Sequence, residues 1–120
     1  MERKHIRVIN TILYCQKWQE TVFFYRNILG FPVTFENDWF VEFEVTANAR
    51  LSVANEQRAT VKSARGQGLT LAFQVDEADA IWQHLKASGV NVGKIADHPW
   101  GGRAFFLFDP DGNRLEVWSV

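Results

Sequence analysis

A chain of 120 residues with 47% hydrophobic side chains is long enough for one domain, or two very small fused modules, with a real core. Its net charge of −1 excludes the electrostatic footprint of a nucleic-acid or membrane-surface binder. The single cysteine, Cys15, excludes an intrachain disulfide and a thiolate metal cluster.

The elements follow in chain order. Residues 7–14, with Val8, Ile9, Ile12 and Leu13, read as a strand, and the start before them lacks the apolar core of a signal peptide. Residues 18–29 read as a helix, because Val22, Tyr25 and Leu29 recur at helical spacing and Gly30 supplies a stop. Short strands are predicted at 31–35, 39–45 and 50–54, separated by Glu36-Asn37-Asp38 and Ala47-Asn48-Ala49. A polar linker, 56–67, closes a first module of residues 7–55 and precedes a second of residues 68–120.

The second module repeats the order. Residues 69–75 are strand-like, and Asp76 can cap a helix over 77–88 whose Ala78, Ile81, Trp82 and Leu85 share one face, with Trp82 expected in the core. Gly89 ends this helix, and strands are predicted at 90–94, 103–108 and 113–118. The last two are joined by Asp109-Pro110-Asp111-Gly112-Asn113, in which Asp109, Pro110 and Gly112 suit the first, second and fourth positions of a type I turn. Each half therefore reads strand, helix, strand, strand, strand. A curled half-sheet cannot bury both faces alone, so two such halves are expected to enclose a concave cup beneath covering helices.

No stretch approaches the roughly 20 apolar residues of a membrane span, so a cytoplasmic protein is expected. Several motifs are ruled out. Asp109 to Asn113 lacks the glycine and glutamate of a calcium loop, and Gly101-Gly102 does not open a helix as a phosphate cradle would. There is no G-x-S-x-G nucleophile elbow.

With its Phe24-Tyr25-Arg26-Asn27-Ile28-Leu29-Gly30-Phe31, its Val75-Asp76-Glu77-Ala78-Asp79, its Trp100-Gly101 and above all its Asp109-Pro110-Asp111-Gly112-Asn113-Arg114-Leu115-Glu116-Val117, the chain resembles the vicinal oxygen chelate superfamily. That group includes glyoxalase I, extradiol dioxygenases, fosfomycin-resistance transferases and bleomycin-resistance proteins. The resemblance covers nearly the whole chain. It implies an α+β fold of two tandem βαβββ modules forming a curled eight-stranded mixed sheet, a cup with helices outside. It also implies a homodimer and, in the enzymes, a divalent metal at the cup floor. The implied ligand positions read Asn10, Ser52, Thr70 and Glu116, of which only Glu116 is a usual ligand type. One carboxylate, one amide and two hydroxyls make a weak set for zinc, nickel or iron, and an oxygen-only site would hold magnesium or calcium loosely. No metal or other cofactor is therefore expected.

Glu116 is either a hook or general base for a bound molecule, or a structural acid paired with Arg103 or Arg114. Period-two counting places Arg114 and Trp118 on its face, and the resemblance adds Ala104 and Phe106. Asn10, Ile12 and Tyr14 would share one wall, and Thr70, Ala72 and Gln74 another. Trp39 and Trp100 stand beside turns, where a ring can stack on a planar ligand or cap a rim. Glu42 and Glu44 share one strand face, read as a solvated pair; lining the cup, they would favour a cationic ligand. His98 is the one histidine whose loop could overhang the cup mouth.

The candidate ligand-binding set is thus Asn10, Tyr14, Trp39, Ser52, Thr70, Gln74, Trp100, Phe106, Arg114, Glu116 and Trp118. Ten Phe and five Trp in a near-neutral chain suit a cavity with aromatic walls and few polar hooks. The expected function is metal-free binding of a small planar or aromatic organic molecule, resembling the drug-sequestering bleomycin-resistance proteins. The alternatives are a metal-dependent glyoxalase-type lyase, isomerase or dioxygenase using Glu116, and an interaction module whose cup is plugged by its own side chains.

Overall fold

The computed structural model describes residues 1–120 and contains two compact units, Met1–Ala64 and Arg65–Val120. In the first, strand β1 (Ile9–Cys15) is followed by helix α1 (Trp18–Phe23), then β2 (Val33–Glu36), β3 (Phe40–Thr46) and β4 (Ala49–Asn55). In the second, β5 (Thr70–Gln74) is followed by α2 (Ala78–Ala87), then β6 (Ala96–Asp97), β7 (Arg103–Phe108) and β8 (Arg114–Ser119). The fold is α+β and consists of two tandem βαβββ modules, as the sequence pattern implies.

The two four-stranded sheets share one topology, β1-β4-β3-β2 and β5-β8-β7-β6. In each, the first strand pairs in parallel with the last and the other pairings are antiparallel. The registers match as well: Ile12, Ser52 and Glu42 stand side by side across one sheet, and Ala72, Glu116 and Phe106 across the other. The repeat is thus visible residue by residue.

Strand alternation divides each sheet into a packed and an open face. In module one Leu13, Cys15, Val41, Phe43, Leu51 and Val53 are buried, along with Val22, Phe24 and Tyr25 from the helical segment. The Tyr25 ring lies 6.2 Å from both Phe31 and Phe43, and the Trp18 indole N–H donates to the Val53 carbonyl at 2.8 Å. In module two the buried set is Phe105, Leu107, Leu115 and Val117 with Ala78 and Leu85. Full burial of each such large apolar side chain stabilises the fold by about 1.5–3 kcal/mol.

Several local expectations change. The first helix is α-helical only to Phe23; Phe24–Ile28 widens into a π-helical turn before Gly30 ends it at φ +73. Asp76 does not cap α2. The preceding residue is Glu77, and the Ala78 N–H instead donates to the Ser119 hydroxyl at 3.1 Å, so the last strand caps the helix. At its other end the Val90 N–H reaches the Leu85 carbonyl and the Gly89 N–H reaches that of Lys86, a Schellman closure around Gly89 at φ +82.

The strand expected at 90–94 is absent as a ladder. Val92 makes an isolated bridge to Leu107, and the Gly93 backbone passes so close to the Phe106 carbonyl that a Cβ there would stand 2.8 Å from the oxygen. Pairing resumes only at β6. Trp82 is half-buried rather than core: its N–H donates to the Gly93 carbonyl at 2.9 Å, and the Lys86 ammonium lies 4.6 Å from its ring centre.

The β7–β8 connection has the expected chemistry. The Gly112 N–H donates to the Asp109 carbonyl at 3.0 Å, closing the turn over Pro110 and Asp111. The Asp109 carboxylate, nearly buried, also accepts from the backbone N–H groups of Asp111 and Asn113 and from the Asn113 amide. Replacing it with alanine strands these donors, and Asp109→Ala is expected to cost about 2–4 kcal/mol in urea unfolding, with Asp109→Asn retaining part of the loss.

Candidate functional site

The open face of module two carries the aromatic cluster. Three cross-strand rows build it: Thr70, Arg114 and Phe108; Ala72, Glu116 and Phe106; Gln74, Trp118 and Ala104. Trp100, in the loop before β7, lies edge-on to Trp118 at 5.4 Å between ring centres. His98 stacks on Trp100 at 5.6 Å and meets Phe106 edge-on at 6.4 Å. Gly102 makes the seat for Trp100, because a Cβ on that glycine would stand 1.8 Å from the indole ring. His98, kept outside the candidate set above, is therefore a member of the cluster; only the short loop between β6 and β7 brings it there.

Glu116 lies in the middle row and enters no ion pair. Both arginines considered as its partners are engaged elsewhere. The Arg103 guanidinium forms a two-pronged contact with Asp79, 2.7 and 3.0 Å, and a third bond to Asp97 at 3.3 Å. The Arg114 guanidinium lies 4.1 Å above the Phe106 ring. Glu116 is thus a half-buried carboxylate on an open, largely aromatic face.

The open face of module one is built differently. Asn10, Ile12 and Tyr14 from β1 stand beside Arg50, Ser52 and Ala54 of β4, and those beside Glu44, Glu42 and Phe40 of β3. The Ser52 hydroxyl donates to the Asn10 side-chain carbonyl at 2.8 Å. The Asn10 amide reaches the Glu42 carboxylate at 3.4 Å, and the Thr34 hydroxyl donates to the same carboxylate at 2.7 Å. Glu42 therefore belongs to this network and is not one of a solvated pair; its neighbour Glu44 turns to Arg50 at 3.7 Å. The face on which Glu42 lies was legible from period two, but its partners, Asn10 of β1 and Thr34 of β2, were not.

Of the candidate set, Thr70, Gln74, Trp100, Phe106, Arg114, Glu116 and Trp118 share module two. Asn10, Tyr14, Ser52 and Trp39 belong to module one, where the Trp39 ring meets Phe40 edge-on at 5.6 Å.

The positions that the resemblance implies for a metal do not suit one. In module one the Asn10 oxygen is already taken by the Ser52 hydroxyl, leaving neither a strong donor. In module two Thr70 is a neutral hydroxyl beside Arg114, and Glu116 is the sole anion of the four. No three His, Cys, Asp or Glu side chains are grouped as a metal would require.

Two mixed βαβββ sheets, each with a helix on one face and a polar-aromatic array on the other, define an α+β protein of the tandem-module class. The sequence profile of the Glyoxalase/Bleomycin resistance protein/Dioxygenase superfamily matches residues 4–117, and the chain belongs to that superfamily. Among solved structures it is similar to a lactoylglutathione lyase from Agrobacterium tumefaciens, at 21% identity and a TM-score of 0.77 over 93% of this chain and 92% of that one. A superfamily member from Sphaerobacter thermophilus superposes with a TM-score of 0.75 at 23% identity, covering 94% and 96% of the two chains. A glyoxalase-related enzyme from Fulvimarina pelagi gives 0.77 at 20% identity over 94% and 87%. At these identities the likeness establishes the fold. No protein of curated function matches the chain.

The Arg103–Asp79 contact has a pH signature. The hydrogen bonds from Arg103 hold the Asp79 carboxyl below its ordinary value of 3.8. A depressed folded-state value stabilises above the unfolded value, and the contribution is lost as pH falls through the folded one. The stability difference between the parent protein and Asp79→Asn is therefore expected to be complete above pH 3.8 and to shrink below it. Urea midpoints measured across that range check this; a difference that grows on acidification contradicts it.

Proposed function

We propose that the protein binds a small planar or aromatic organic molecule on the open face of module two, without a metal. One observation carries the reading. Glu116 stands on that face without a cationic partner, in the same row as Phe106, with Trp118 and Arg114 flanking it on β8 and with His98 and Trp100 stacked on the cluster. Rings supply stacking area and the carboxylate supplies an orienting acceptor. Trp100 is 55% exposed, so its ring is available to a ligand as well as to Trp118. The proposal concerns the module-two residues alone; a homodimer and a cytoplasmic location belong to it as well. No helix of the chain is long and apolar enough to cross a membrane. The relatives named as lyase or glyoxalase-related enzymes keep a catalytic reading in view, and the test separates it.

Tryptophan fluorescence is the natural reporter. Titration with a panel of planar heterocycles is expected to quench it saturably, and Trp100→Ala to weaken binding of the responding compound by about tenfold. Gly102→Ala displaces the same ring without deleting it, and the expected loss of affinity is similar. In parallel, the protein is exposed to nickel, zinc, manganese and iron(II), freed of excess ion and analysed for bound metal. Near-stoichiometric retention that disappears in Glu116→Gln would overturn the binding reading in favour of a metal-dependent lyase, isomerase or dioxygenase. Absence of any responding compound, with Phe106 and Trp118 shielded from an aqueous quencher, would favour a plugged interaction module.

A further inference from the structure

Module one carries a second array that the reading for module two does not use. Its centre is Glu42. The strands of this sheet hold three acids, Glu36, Glu42 and Glu44. Glu36 is paired with Arg26 at 2.6 Å and Glu44 with Arg50 at 3.7 Å. Arg50, the cation on the same face, also donates to the carbonyls of Thr46 and Ala47, which directs it toward the β3–β4 turn. Glu42 is left with neutral partners only: the Thr34 hydroxyl at 2.7 Å and the Asn10 amide at 3.4 Å.

Both partners are themselves held in place. The β2–β3 register slips between Val33 and Phe35, so Thr34 is the extra residue of a bulge. A bulge re-aims one side chain, and here the hydroxyl it presents meets the Glu42 carboxylate. Asn10 is oriented from behind, because Ser52 donates to its carbonyl and leaves its amide facing Glu42. Beside this polar network the face carries partly exposed apolar side chains. Phe35 stands opposite Glu42, 53% exposed; its ring lies 6.3 Å from that of Phe40; Ile12 is 39% exposed.

We infer that the Glu42 face of module one is a recognition site for a small organic cation, a protonated amine, amidine or guanidine carried on a flat apolar body. A carboxylate holds several acceptor positions, and two neutral hydrogen bonds leave its charge uncompensated. A cation placed there gains charge-assisted hydrogen bonds, and the faces of Phe35 and Phe40 add attraction for the same charge. The charge of the site selects a cation over an anion or a neutral isostere. The inference is independent of the proposal for module two.

The test is an amide-detected NMR titration of the full chain with matched probes: benzamidine against benzamide, and phenethylamine against 2-phenylethanol. The two cations are expected to shift the amides of Ile12, Phe35, Phe40 and Ser52 saturably, and the neutral partners to bind at least about tenfold more weakly. Glu42→Gln keeps the shape and one acceptor oxygen, for the Thr34 hydroxyl, and is expected to abolish the preference for the cation. Glu36→Gln removes the same charge from module one and is expected to leave it intact. Thr34→Ala, which frees one side of the carboxylate, is expected to weaken cation binding severalfold.

Equal binding of cation and neutral isostere, or an unchanged preference in Glu42→Gln, overturns the inference. So does a second copy of the chain as the occupant, recognised by a dimer that Glu42→Gln dissociates while the probes shift nothing. Shifts confined to Trp100, Phe106 and Glu116 would leave the module-two proposal standing and this one refuted.

Discussion

A helix can cover only one face of the sheet it follows, and a strand alternates its side chains between both. The rest of this structure depends on that constraint. In each module the covered face takes Leu, Val and Phe and is buried. The uncovered face cannot be filled the same way without leaving apolar surface to water, so it carries what the packed face refuses: carboxylates, amides, hydroxyls and partly exposed rings. Function is available to this fold because its architecture leaves half of each sheet unspent.

Duplication turns that constraint into a comparison. Equivalent rows of the two sheets hold Ile12, Ser52 and Glu42 in one and Ala72, Glu116 and Phe106 in the other. The frame is the same and the chemistry has diverged. Module one carries a relay of neutral donors leading to an acid, whereas module two carries an acid among rings. The acid has moved from the third strand of one module to the fourth strand of the other. Position in the repeat therefore does not predict role.

That divergence also accounts for the poor fit to a divalent metal. Ligation needs several strong donors converging with free lone pairs. The four corresponding positions supply one carboxylate, and the Asn10 oxygen among them is committed to Ser52. In both modules the nearby arginines are committed elsewhere, to Asp79 and Asp97, to Glu44, or to the Phe106 ring. Neither Glu42 nor Glu116 enters an ion pair, and the arginines on their faces turn to Glu44 and to the Phe106 ring.

Much of this was legible in the residues. Hydrophobic period two and period 3.6 located seven of the eight strands and both helices, Gly30 and Gly89 marked the helix ends, and Asp109-Pro110-Asp111-Gly112 specified its own turn, because all of these depend on neighbours close along the chain. The failures have the opposite cause. The expected strand at 90–94 is reduced to a bridge at Val92 and one hydrogen bond from Gly93 to the Phe106 carbonyl, α2 is capped by Ser119 from the far end of its module, and Trp82 is drawn to a loop carbonyl. Glu116 could be recognised from its strand alone, and alternation already puts Arg103 on the other face; that Arg114 turns to a ring instead of to Glu116 depends on Phe106, brought beside it by β7. The sequence by itself determined which residues share a strand face, since alternation is local. Only the tertiary structure decided which of them meet, because hydrogen bonds and ion pairs are chosen among groups that the sheet register brings together from distant strands.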